Sequence, residues 1–198
     1  MPNSLERILH YIDRHGMVRP RDIEAIGLPR EYLLRLFRQG RLIRIGRGLY
    51  TLPGAKVTEH HSYAEVAKRV PDAVFCLLSA LAFHDLTTQN PASVWIALPK
   101  GARSRAISSP SLRTVRLSGP SLTEGIERHK VEGVPIRVYS VAKTVADCFK
   151  FRNKIGLDVA IESLKDSLRQ KKATVNEIYR YAKICRVSNV IRPYLEAL

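Results

Sequence analysis

Acidic residues are scarce in this chain. Its 198 residues carry 18 Asp and Glu against 33 Lys and Arg, a formal net charge of +15 at pH 7. Such an imbalance favours a polyanionic partner, nucleic acid first, over an acidic protein or an anionic membrane surface. Cysteine is sparse too. Cys76, Cys148 and Cys185 stand far apart with no CxxC pair, which fits buried thiols in a reducing compartment better than a disulfide framework or a zinc site. Long apolar runs are missing, and none approaches the roughly 18 residues of a membrane span. The opening "MPNSLERILHYIDRHG" alternates charged and apolar residues and is not a signal peptide. A cytoplasmic protein with no membrane partner is expected. Hydrophobic content of 45% is ordinary for a globular protein, so an ordered chain is expected, and neither internal repeats nor low-complexity tracts occur.

Catalytic motifs are absent as well. "PKGARSR" lacks the GK[ST] ending of a phosphate-cradling loop, and no GxSxG or HExxH occurs. Pro71-Asp72 could begin a nuclease motif, but no suitably placed Glu-x-Lys follows, and "ERHK" has one residue too many between its Glu and Lys. His60 and His61 are adjacent, so they do not share a helical face, and they read as surface or linker histidines rather than metal ligands. His84 and His129 have no identifiable partner in the sequence, and Asp147 and Asp158 read as caps or surface charges. The chain is therefore read as a non-enzyme with no catalytic residues, metal or cofactor.

What is present is concentrated in "LPREYLLRLFRQGRLIRIGRGLYTLPG" at 28–54, with six arginines against the single Glu31. Ahead of it, Leu5, Ile8, Leu9 and Ile12 form one helical stripe, with Asn3 or Ser4 as cap and Gly16 as terminator. A short helix opens at Pro20, turns Ile23 and Ile26 inward and stops at Gly27. The third helix is bounded by Pro29 and Gly40. Leu33, Leu36 and Phe37 share its inner face, Glu31, Arg35, Arg38 and Gln39 point outward, and Arg30 sits near its exposed start. Beyond Gly40 the period becomes alternating. "LIRI" and "LYTL" flank "GRG", a hairpin with Arg47 at its tip, Arg44 on one strand and Arg41 at its entry. Three helices and a basic hairpin make a winged helix-turn-helix, whose second motif helix enters the major groove. Arg30, Arg35, Arg38, Gln39, Arg41, Arg44 and Arg47 are the candidate DNA-binding residues, since arginine's planar fork suits phosphate and guanine O6/N7.

"LPGAKVTEHHS" breaks this pattern, giving domains at 1–55 and 56–198. In the second, "SVWIALP" reads as a strand buried on both faces and "RTVRLS" as a half-buried one. "IERHKVEGVPIRVYS" reads as a hairpin turning at Glu132-Gly133. Helices follow: one capped by Ser140, one with a Leu157, Ile161, Leu164 and Leu168 stripe, and one with a Thr174/Glu177 capping box. The fold class is α+β, a winged helix followed by a larger α+β domain with a mixed or antiparallel sheet and C-terminal helices. Lys100, Arg103, Arg105, Arg113 and Arg116 form a possible second basic patch, which could hold RNA or an acidic protein or be a solvated loop; aromatic interleaving for base stacking is lacking.

With "SALAFHDLTTQNPASVWIALPKGARS" and "VYSVAKTVADCFKFRNKIGLDVAIESL" added to the winged helix, the chain resembles the AbiEi antitoxins of type IV toxin–antitoxin systems. The resemblance implies binding to inverted repeats upstream of its own operon, autorepression, and neutralisation of an AbiEii-type nucleotidyltransferase toxin, commonly without a stable complex, in abortive phage infection. It places Arg30, Arg35 and Arg38 on the recognition helix and Arg44 and Arg47 on the wing. It carries no catalytic motif onto named residues. Two alternatives stay open: a stand-alone winged-helix regulator, and an enzyme whose second domain modifies the toxin or its RNA target.

Overall fold

The structure, a computed structural model, describes residues 3–89, 91–102, 107 and 109–197. It divides into two compact units, residues 1–71 with 130–136 and residues 72–129 with 137–198.

The first unit begins with α1 (Ser4–His15), whose Asn3 side chain accepts from the Leu5 N–H at 3.3 Å. Leu5, Ile8 and Ile12 are buried along it. A two-residue strand β1 (Met17–Val18) follows, then α2 (Pro20–Glu24), α3 (Glu31–Arg38), β2 (Ile43–Gly46) and β3 (Leu49–Thr51). The three strands pair antiparallel in the order β1-β3-β2. The unit closes with α4 (His61–Arg69), which buries Tyr63, Ala64 and Val66.

Polar contacts brace the back of this unit. Asp22 accepts from the Arg19 N–H at 2.9 Å and pairs with Lys68 at 3.2 Å. Burial pushes its carboxyl up, yet those partners bring it below the ordinary value, and burial lowers Lys68 in turn. His61 is half-buried at the start of α4 rather than a linker residue, with its Nδ1 2.7 Å from a Glu132 carboxylate oxygen. The same carboxylate accepts the Thr58 N–H at 2.6 Å and the Thr58 hydroxyl at 3.0 Å.

Glu132 and Gly133 form the turn between β7 (Ile126–Val131) and β8 (Val134–Tyr139), both at positive φ, +49° and +80°. Two consecutive positive φ values define the primed turn that matches strand twist. A Cβ on Gly133 would lie 2.7 Å from the Gly16 nitrogen, so glycine is required there for close approach as well as for φ.

The second unit holds β4 (Val74–Phe75), α5 (Leu77–Phe83), β5 (Val94–Pro99), β6 (Leu112–Leu117), α6 (Pro120–Thr123) and the stem of the β7–β8 hairpin. Its mixed sheet runs β6-β5-β4-β8-β7, with β5 parallel to β6, β4 antiparallel to β5, and β4 parallel to β8. Val94 to Leu98 are all buried, whereas β6 buries only Val115 and Leu117, as full and half-buried strand patterns require. Then come α7 (Val141–Lys150), α8 (Arg152–Ile155), α9 (Leu157–Arg169), α10 (Val175–Cys185) and α11 (Ser188–Glu196).

Helix α7 is the core element, buried from Val141 to Phe149. Asp147, expected as a cap or surface charge, is instead 1% exposed and paired with the fully buried Lys143 at 2.5 Å, one helical turn away. The Cys185 thiol donates to the other Asp147 oxygen at 3.2 Å, and the Lys143 ammonium stands 4.1 Å from the Tyr139 ring centroid. Of the expected α9 stripe, Ile161 and Leu168 are half-buried and pack against the core. Leu164 is buried, but Leu157 is 39% exposed, and Ala160, Ser163 and Ser167 take the inner positions. Small side chains let α9 approach α7 closely, and both serine hydroxyls are satisfied by their own helix, donating at 2.8 Å to the Ala160 and Leu164 carbonyls.

Candidate nucleic-acid interface

The outward face of α3 is built by its ends as much as by its periodicity. Its C-terminus is a Schellman motif: the Arg41 N–H donates to the Leu36 carbonyl at 3.0 Å, and the Gly40 N–H to the Phe37 carbonyl at 3.0 Å. Gly40 has φ +69°, the left-handed conformation this ending needs. Leu33 and Leu36 are buried beneath the helix. Phe37, expected inward with them, is 39% exposed and meets Tyr50 edge-on at 6.1 Å between centroids. It stands at the boundary between helix and wing, where a large ring covers Tyr50 without being covered itself.

The predicted residues differ in what holds them. Arg35, Arg38, Gln39 and Arg47 are exposed, and among the described residues none makes an ion pair. Arg30, also exposed, stands 3.6 Å from Glu24 and 3.9 Å from Glu31. Arg41 is tied to Glu6 of α1 at 2.8 Å, a partner invisible at 35 residues' separation. Arg44 donates through Nε to the Gly46 carbonyl at 3.2 Å, across the irregularity where β2 shifts register against β3. Arg47 occupies the wing turn between β2 and β3. Surface pairs of this kind are weak, but they decide which guanidinium groups stand ready for an anion without first leaving a carboxylate.

Of the second patch, Arg103 and Arg105 lie outside the described residues. Lys100, Arg113 and Arg116 are exposed. Arg113 and Arg116 are three apart on β6 and therefore leave it on opposite faces. The Arg113 guanidinium sits 5.5 Å from the Trp95 ring centroid, a cation–π contact.

Asp147, the three cysteines, His84 and His129 are each buried or engaged. Burial pushes the Asp147 carboxyl above its ordinary value despite Lys143. Burial, with Asp147 next, raises the Cys185 thiol to about 12 and drives Cys76 and Cys148 upward as well, so none of the three is a ready thiolate. His84 faces the Tyr139 carbonyl at 2.8 Å through Nε2, and His129 lies 3.1 Å from Glu127. These partners were not identifiable from the sequence.

Residues 6–53 match the family model described as transcriptional regulator, AbiEi antitoxin. Over that segment the chain is similar to the AbiEi antitoxin regulators. The AbiEi match covers α1 through β3 and so includes every candidate arginine of α3 and the wing. No curated protein matches the chain. Among solved structures, it is similar to the crystal structure of RV2827C protein from Mycobacterium tuberculosis, at 14% identity and a TM-score of 0.58, over 92% of this chain and 72% of that one. That likeness concerns the fold alone. No helix among the described residues is long and apolar enough to cross a membrane.

Proposed function

We propose that the protein is an autorepressing antitoxin which binds inverted repeats upstream of its own operon through the AbiEi-type winged helix. The observation that carries this reading is the outward, unpaired Arg35 and Arg38 on α3 beside Arg47 on the wing, within the matched segment. Phosphate neutralisation by these groups supplies affinity that falls with salt, and one or two of them read guanines. Two copies occupy half-sites one helical turn apart, or a multiple of it. The larger unit neutralises a nucleotidyltransferase toxin without a stable complex. It acts without catalysis, a reading supported by the burial of Lys143, Asp147 and the three cysteines.

A mobility-shift titration with the DNA upstream of the gene, in the presence of scrambled competitor, tests the first half. Specific binding by the wild type, and its loss in the folded Arg35→Ala/Arg38→Ala variant, is the expected result. Absence of specific binding by the folded wild type would remove the repressor reading. Co-expression with an AbiEii-type nucleotidyltransferase toxin tests the second half, since the same double variant should still rescue growth.

A further inference from the structure

Large apolar side chains exposed to solvent are few among the described residues: Leu34, Phe37, Ile43, Val57, Leu157 and Val175. Two of the six fall on the eight residues of α3. A lone exposed leucine usually calls for no explanation, but the position of Leu34 does. Glu31, Leu34, Arg35 and Arg38 are spaced i, i+3, i+4 and i+7, so they form one stripe along the helix. All four are exposed, on the side away from buried Leu33 and Leu36. Leu34, 43% exposed, thus sits within the arginine face, one turn from Arg38 and beside Arg35. Phe37 is different, because its ring is engaged with Tyr50.

A leucine in that position has nothing to offer a phosphate. When the arginines hold α3 against a duplex, Leu34 faces base edges, and the apolar group displayed on those edges in the major groove is the thymine C5-methyl. We propose that Leu34 is a specificity-determining residue that packs on the methyl group of a thymine next to the base pairs faced by Arg35 and Arg38. This rests on the repressor reading above and sharpens it. The arginines alone would favour guanine-containing sites; the leucine adds a preference for thymine at a neighbouring step, and it would do so without contributing to the salt dependence.

The experiment replaces each thymine of one half-site in turn by deoxyuridine, which removes the methyl and nothing else. Wild type and Leu34→Ala are titrated against every duplex. The exposure of Leu34 keeps the variant folded, which its thermal unfolding will verify. One replacement should weaken wild-type binding about fourfold, the worth of one buried methyl, and leave Leu34→Ala binding unchanged. If specific binding is intact and depends on Arg35 and Arg38, yet no replacement weakens it, Leu34 is overturned and the repressor reading stands. Equal weakening of both proteins would also overturn it, since the methyl would then act through DNA shape. No specific binding to any duplex would overturn both.

Discussion

Helices α3 and α7 place positive charge in opposite ways. On α3 the charged groups surround a two-leucine anchor and end in water, with Arg35 and Arg38 unpaired. On α7 the charge is enclosed: Lys143 is fully buried, and Asp147, one turn along, is its ion-pair partner. Near the end of α7, Lys150 and Arg152 donate to the carbonyls of Cys185 and Phe149 at 3.2 and 2.9 Å. A net charge of +15 is therefore no map of an anion-binding surface. What counts is whether a cation already has a partner, and how much water it has lost.

The largest expected effect comes from breaking the enclosed pair. Asp147→Ala leaves an uncompensated ammonium in the core and should lower stability by about 3–5 kcal/mol, read as a shift in the urea midpoint. Replacing both partners by apolar residues, as in Lys143→Met/Asp147→Leu, should recover most of that loss. Equal losses in the single and double variants would show that the pair does not act as a unit.

The exposed side should behave inversely. Arg47→Ala should leave the urea midpoint where it is, weaken operator binding severalfold, and reduce the slope of log affinity against log salt by about one. An unchanged slope would remove the wing from the interface.

The smallest effect concerns Arg41, which lies between the two extremes because Glu6 holds it at 2.8 Å. Glu6→Gln should release the guanidinium and strengthen DNA binding by about twofold, within the range of an exposed pair. Weaker binding instead would mean that Glu6 is needed to hold Arg41 in place.

Much of the first unit could be read from local signals, because its elements end where local chemistry says they should. Asn3 caps α1, Gly40 ends α3, and the glycines around Arg47 turn the wing. The readings that failed depended on distant partners. Asp147 looked like a surface charge because only the tertiary fold shows that α7 is covered on every side. The α9 stripe included Leu157, which is exposed, and missed the small residues Ala160, Ser163 and Ser167, which are buried. The side-chain partner of His61, Glu132, is 71 residues away and arrives from the far hairpin. The i, i+4 spacing of Lys143 and Asp147 inside an apolar run was the one available hint of that pair. Leu34 was assigned to neither face of its helix, although its spacing from Glu31 and Arg38 places it on the outer one.

The turn at Glu132 and Gly133 bears on how the protein comes into being. The winged-helix unit is discontinuous, made of residues 1–71 and 130–136, and Thr58 and His61 wait for a carboxylate that the ribosome has not yet made. A nascent chain that has emerged only through α4 carries every candidate DNA-binding arginine but lacks the last piece of the unit that holds them. Translation must pass the hairpin before that unit is complete. For the same reason, a single recombination crossover between residues 71 and 130 could not transfer this unit whole to another protein.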